Sequence, residues 1–443
     1  MYIFFVLAII TILFLTFINL RTPLPVFSVY RQPDKWYFLK TTLFYLALKL
    51  REFYEKVRDD DDDDRRGGKK HQIYIEKMEC SKKLVYHPQA IDSVYFMAAD
   101  KKGNFLASSL GRRYNGIADG FIYLNVPEIG FLESMKLPDT ILFQENMEKS
   151  MRLFSAEGLR FTPLRPLKKW KISYKGNMRV DGDAENVVHV HLDVIWTSSL
   201  PFFDIDMHMD AMLLAKAYAR EPWNEDFFET VRNFRMTHYE QHGSIHGTAE
   251  VNGEIFQLKM NSLKSRSFGI IRRKHFHRCV THFMHFQDGT SITMGVQCIP
   301  VTFSSKEYGY VTKPNGEIRP ITFSSMKLYE HGEGGTPPRD YSFSIIAGGR
   351  TYHIKVKTIK CTEYYAGWQW ETRFVECMAT FSYNGNTGWG GIQWQYRHTG
   401  NRPQSISSKD PEWTVETNES RMFPLHKEVD YGPVILPFQV NKI

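Results

Sequence analysis

The chain has 443 residues, 42% hydrophobic and 14% aromatic, with a formal charge of +7. At roughly 150 residues per domain that length holds two domain-sized cores. The positive balance is one acidic run set against scattered basic residues, with no continuous basic face, so no nucleic-acid partner is expected.

Met1 to Asn19, MYIFFVLAIITILFLTFIN, is uncharged and apolar. With Leu20 it reaches the ~20 residues that a membrane-spanning helix requires. It lacks the basic start and small-x-small cleavage site of a secretory signal, which favours an uncleaved signal anchor over residues 1–20. Arg21, Arg31, Lys35 and Lys40 follow the run and none precedes it, so the positive-inside tendency places the body in the cytosol. The expectation is a single-pass membrane protein of the endoplasmic reticulum or another endomembrane, with the membrane as a partner. The sequon Asn418-Glu419-Ser420 is usable only in the opposite topology. Five cysteines, Cys80, Cys279, Cys298, Cys361 and Cys377, are widely spaced and odd in number. They read as free or buried thiols in a reducing compartment.

Residues 21–72 form an amphipathic helix and a charged linker. From Trp36 to Val57 apolar residues recur near helical spacing, so the helix either lies on a membrane surface or packs on the folded body. The six carboxylates Asp59 to Asp64 repel one another and read as linker. They lack the alternating ligands and glycine of a calcium loop.

From about Ile73 the pattern changes to short runs alternating at period two, such as Val187 to Trp196 and Tyr352 to Lys357. Turn signals separate them: Gly103-Asn104, Asn252-Gly253, Asp288-Gly289, Asn315-Gly316, Gly348-Gly349 and Asn384-Gly385. The fold class is mainly β, with two antiparallel barrel or sandwich domains over 73–270 and 271–443. Near 210–234 a helical insertion interrupts the first, as a lid or a plug.

No GxSxG elbow, Walker loop, HExxH helix or strand-turn-helix GxGxxG is present. On an extended strand His238, Glu240, His242, Ser244 and His246 share one face. His238 and Glu240 are the candidates for acid/base chemistry, and a histidine-rich face also suits zinc. His275, His277 and Cys279 alternate in the same way, but Arg266, Arg272, Arg273, Lys274 and Arg278 around them suit an anionic headgroup better than a cation. No metal or cofactor is expected. Most tryptophans belong to the core, and the surplus is expected to line an apolar cavity. The candidate ligand-binding residues are Trp170, Trp196, Tyr239 and Trp394 for the apolar part, with His238, Glu240, Arg266 and Arg272 for a polar head.

Phe96-Met97-Ala98-Ala99-Asp100, Arg220-Glu221-Pro222-Trp223, His238-Tyr239-Glu240-Gln241, Gln287-Asp288-Gly289-Thr290 and Gly309-Tyr310-Val311 resemble the N-terminal, non-catalytic region of invertebrate phosphoenolpyruvate synthase-like proteins. The catalytic domains of those longer proteins have no counterpart here. More remotely, Lys264-Ser265-Arg266-Ser267-Phe268-Gly269 and Gly388-Trp389-Gly390-Gly391-Ile392-Gln393-Trp394 resemble landmarks of the tandem lipocalin-like superfamily of carotenoid hydratases, tocopherol cyclases and fungal ceramide carriers. Ser265, Arg266 and Gln393 stand where that superfamily has an acid, a histidine and a glutamate. The resemblance therefore implies two lipocalin-like barrels that hold a lipid or isoprenoid without catalysis. The alternatives are a hydratase or cyclase using His238 and Glu240, or a protein-interaction module.

Overall fold

The computed structural model describes residues 17, 19, 21–66, 78–85, 87, 89–113, 117–135, 142–143, 154–233, 236–270, 276–367 and 370–399. Most of it is antiparallel sheet, as the period-two pattern requires. In the N-terminal half eight strands pair in a ring: β1 (Ala90–Ala99), β2 (Phe105–Arg113), β3 (Ile117–Val126), β4 (Gly130–Ser134), β8 (Lys169–Val180), β9 (Asp183–Thr197), β11 (Met236–Val251) and β12 (Glu254–Ile270). β12 pairs with both β11 and β1, which closes it. Short strands decorate the ring: β5 (Leu142–Phe143) on β3, the hairpin β6 (Phe154–Ala156) and β7 (Leu159–Arg165) on β8, and β10 (Phe203–Asp204) on β11. The C-terminal half is a closed barrel of β13 (Arg278–Phe286), β14 (Ser291–Ile299), β15 (Phe303–Thr312), β16 (Ile318–Ser324), β17 (Asp340–Ala347), β18 (Arg350–Ala366), β19 (Thr372–Tyr383) and β20 (Asn386–Arg397).

The expected turn dipeptides fall at hairpin ends. At Asn384-Gly385, between β19 and β20, both residues have positive φ, 48° and 83°. That is the primed turn whose twist matches two paired strands.

Each barrel is filled by its own side chains. Trp170, Trp196, Phe96, Phe161 and Leu192 occupy the first, and Trp394, Ile354, Met294 and Phe381 the second. Strands on the outer rim alternate buried and exposed, as in β18. β1, β2, β3 and β13 are buried on both faces, because their outward sides meet the other barrel.

Helix α1 (Tyr37–Arg66) packs Phe44 against Tyr218, Trp223 and Phe227, with Lys40 Nζ donating to Asp34 and to the Glu221 carbonyl at 2.8 Å each. It continues through Asp59–Asp64, where the charge run suggested a linker; no glycine or proline precedes Gly67 to stop it. The insertion forms α2 (Ile205–His208), α3 (Ala211–Ala219) and α4 (Glu225–Asn233). Glu221 joins this layer to the second barrel, accepting from the Ser304 N–H at 2.6 Å.

Two expectations are corrected. Among the described residues no helix is long and apolar enough to cross a membrane. That overturns the single-pass membrane protein with a cytosolic body, and leaves the membrane as a partner without support. Of the run Met1–Asn19, only Phe17 and Asn19 lie within the described residues, and Asn418 lies outside them. Second, Cys361 on β18 and Cys377 on β19 stand directly opposite and form a disulfide, Cα atoms 4.1 Å apart. A register partner sixteen residues away leaves no spacing motif, and its presence removes the reducing-compartment argument.

Candidate functional site

Where the barrels face one another, the side chains form cross-strand rows. On the first barrel one row is His238, Ser267, Ser93, Gly111 and Asp119, and the next is Glu240, Ser265, Tyr95, Ser109 and Phe121. On the second barrel one row is Lys306, Gln297, Cys279, Gln395, Phe374 and Tyr364, and the next is Tyr308, Gly295, Thr281, Gln393, Glu376 and Thr362. Serines, threonine and glycines in the middle of these rows supply too little volume to fill the gap. The adjacent row, His242, Leu263, Met97, Ala107 and Tyr123, is bulky and meets Phe283 and Tyr364 in a packed interface. The result is a cavity of about 250 Å³ between the barrels, lined mainly by apolar groups. Ile205 and Asp206 of α2, with Met236 and Phe276, complete its wall.

Besides Lys306, Asp119 and Asp206, polar groups gather at three places on or just behind its wall. His238 Nε2 lies 3.0 Å from Glu240 Oε1 and its Nδ1 2.6 Å from Ser267 Oγ. Alternation on β11 puts His238 and Glu240 on one face, and the second barrel buries Glu240 to 2% exposure. Just behind the wall, Glu376 Oε2 accepts from the lining Tyr95 at 3.2 Å and its Oε1 from the lining Gln393 Nε2 at 2.5 Å; Gln395 donates to Gln393 at 2.7 Å. Burial pushes the Glu376 carboxyl up to about 8, so it is largely protonated at neutral pH. The third group is Thr281 with Tyr308, hydroxyls 2.7 Å apart. The Tyr308 ring covers Gly295, where a Cβ would come within 2.3 Å of it. Cys279 beside them is no nucleophile, since burial pushes its thiol up to about 11.

The other sequence candidates lie elsewhere. Trp170, Trp196 and Trp394 are fully buried in barrel interiors, away from the cavity wall. Tyr239, on the opposite face of β11 from His238, points into the first barrel and donates to Glu79 Oε1 at 2.6 Å. Arg266 also points inward, held by Asp92 at 2.7 Å, so it meets a carboxylate of this chain and no cavity ligand. Arg272, with Arg273, Lys274 and His275, lies outside the described residues. Arg278 is 3% exposed and bonded to Glu333 and to the Leu328 and His331 carbonyls. His277 meets Glu333 at 3.3 Å and His242 is buried against His285 between the barrels. Among the described residues no cluster of three or more His, Cys, Asp or Glu could hold a metal. Sequence reading missed Tyr95, Glu376, Lys306 and Tyr308. The one available signal was Gln393, whose cross-strand neighbour is Glu376.

No curated protein matches the chain in sequence. Among solved structures it is similar to a protein described as AttH from Nitrosomonas europaea, at 11% identity and a TM-score of 0.45, covering 71% of this chain and 98% of that one. Kievitone hydratase from Nectria haematococca aligns at 12% identity and a TM-score of 0.43, covering 71% and 93%. CghA with Sch210972 aligns at 8% and 0.45, covering 71% and 90%. The phosphoenolpyruvate synthase-like resemblance receives no support from these structures or from the family match. Residues 4–396 match the Family of unknown function (DUF8627), and the chain belongs to that family.

Proposed function

We propose that this protein binds a compact, largely apolar small molecule in the cavity between its two barrels. The supporting observation is the cavity itself, with Ile91, Phe121, Phe283 and Phe374 facing a few converging polar groups. Such a composition is that of a small-molecule site. Its volume lies just below the roughly 300–1,000 Å³ usual for these sites, which favours a compact ligand over a long lipid chain. The filled barrel interiors favour the space between the barrels over the barrels themselves.

Replacing Gly111 by Leu tests this. Its Cβ would come nearest the movable end of Ile91, at 3.2 Å, with Ser93 Cβ in ordinary contact at 3.5 Å, and Gly111 itself lines the cavity. In the wild type N-phenyl-1-naphthylamine is expected to bind saturably with enhanced fluorescence. In Gly111→Leu its affinity drops by about tenfold or more, because about 1.4 kcal/mol of lost contact suffices. Unsaturable wild-type fluorescence, or equal affinity in the two proteins, rejects the cavity as the site.

The His238–Glu240 contact favours a second reading, acid/base catalysis on the bound molecule. The carboxylate orients the imidazole, while Glu376, bonded to the lining residues Tyr95 and Gln393, is a neutral acid just behind the wall. Under it, Glu240→Gln abolishes turnover and leaves binding intact.

A further inference from the structure

We infer that Lys306 is an imine-forming amine that captures the carbonyl carbon of an aldehyde or ketone held in the cavity. This rests on the ligand-binding reading above and adds the chemical class of the ligand. Lys306 lies at the end of a cavity-facing row on β15 and is 8% exposed. Among the described residues it has no hydrogen bond and no ion pair; its contact is the Phe303 ring, 5.1 Å from Nζ to the centroid.

Other buried cations among the described residues are compensated: Lys40 has Asp34, Arg113 has Asp119, Lys264 has Glu79, Arg112 and Arg266 share Asp92, and Arg278 has Glu333. A lone buried ammonium is costly, and the inexpensive escape is to release the proton. Burial accordingly lowers the Lys306 pKa, against a weaker opposing pull from Asp206. The neutral amine so favoured is the nucleophilic form.

An anionic ligand would be the other way to answer an unpaired cation. The cavity wall disfavours it: Asp119, Asp206 and Glu240 line the same space, against the single lysine. A neutral carbonyl compound meets no such repulsion. In the reaction the Nζ lone pair bonds to the carbonyl carbon, and the carbonyl π pair moves to oxygen. The oxygen takes the proton released by nitrogen, giving a carbinolamine. A second proton transfer expels that oxygen as water, and the nitrogen–carbon double bond closes as an imine. Hydrolysis reverses each step, and no oxidant or reductant enters.

The test uses the full chain, benzaldehyde and sodium cyanoborohydride, which reduces an imine irreversibly to a secondary amine, followed by peptide mass mapping. Lys306 is expected to be modified at least about tenfold faster than exposed lysines at pH 7, since the cavity holds the aldehyde beside an amine whose neutral form burial favours. Gly111→Leu should suppress that adduct and spare the exposed lysines. If wild-type protein binds N-phenyl-1-naphthylamine but Lys306 is modified no faster than exposed lysines, the imine inference is wrong and the cavity reading stands. If the fluorophore does not bind while Lys306 still reacts preferentially, the amine chemistry stands and the ligand cavity falls. Loss of both results overturns both.

Discussion

Glu79→Ala is expected to unfold the first barrel or bring it to the edge of unfolding. Glu79 is 1% exposed and accepts from Lys264 Nζ at 2.6 Å, Tyr239 Oη at 2.6 Å, Trp170 Nε1 at 2.5 Å and the Leu167 N–H at 3.1 Å. These donors hold its carboxyl below the usual range, Lys264 foremost, although burial alone would raise it. Removing one partner of a buried pair costs about 3–5 kcal/mol. The deprotonation route gives a similar figure: about 1.4 kcal/mol per unit from an unfolded value near 10.4 down to pH 7 is ~5 kcal/mol. Three further buried donors lose their acceptor at about 1–3 kcal/mol each. Domain stabilities are about 5–15 kcal/mol, so little margin remains. Urea unfolding followed by tryptophan fluorescence reads this directly, because Trp170 and Trp196 sit in the affected core. A midpoint shift worth less than about 1 kcal/mol would contradict it.

The same pair has a pH signature. Burial lowers Lys264 to about 8 in the folded chain, below its unfolded value, so the unfolded chain binds more protons between about 8 and 10.4. Stability from this group is complete above that window and is lost as pH falls through it. Glu79→Ala/Lys264→Met removes both charges and should recover a substantial part of the loss, since two apolar groups leave no ion stranded.

Much of this architecture was legible in the residues. Period-two runs marked strands such as Val187 to Trp196, where Val188, Val190, Leu192, Val194 and Trp196 are the buried set. The Asn-Gly, Asp-Gly and Gly-Gly dipeptides marked hairpins, and Pro222 separated α3 from α4. On β11 alternation placed His238 and Glu240 together. Alternation says which residues share a face, but not what lies beyond that face. Trp170, Trp196 and Arg266 point into a barrel that is filled, and nothing in their spacing distinguishes a filled barrel from a hollow one. The cavity is built from smallness, Ser93, Ser109, Gly111, Ser265 and Ser267, and small residues on a strand look like solvent-facing positions until a second barrel covers them. Lys306 and Glu376 read as ordinary exposed charges for the same reason. Which outer faces meet is a tertiary fact carried by Met97, Phe121, Phe283 and Tyr364, a cluster drawn from strands far apart in the chain.

Glu376 carries the second large prediction, a fall in stability with rising pH that Glu376→Gln abolishes. Burial raises its carboxyl to about 8 from an unfolded value near 4.3. Between those limits the folded chain binds the extra proton, so the group's stabilisation is complete below about 4.3 and is lost as pH rises through 8. The slope approaches about 1.4 kcal/mol per pH unit for one site. Buried His242, His282 and His285 are pushed the other way and favour the folded state as pH rises, so wild-type data alone mix opposite trends. Subtracting Glu376→Gln isolates the carboxyl. Glutamine keeps the shape and neutrality of the protonated acid: its oxygen can accept from Gln393 and its amide can face Tyr95, whose phenol burial keeps neutral. The variant should match wild type near pH 4.5 and exceed it by roughly 5 kcal/mol at pH 8 and above, about 3.5 units at about 1.4 kcal/mol each. Urea midpoints across that range decide the matter. Parallel curves for the two proteins would mean that Glu376 is ionised in the folded chain at neutral pH, and the group behind Tyr95 and Gln393 would then be a carboxylate instead of the neutral acid that the acid/base reading needs.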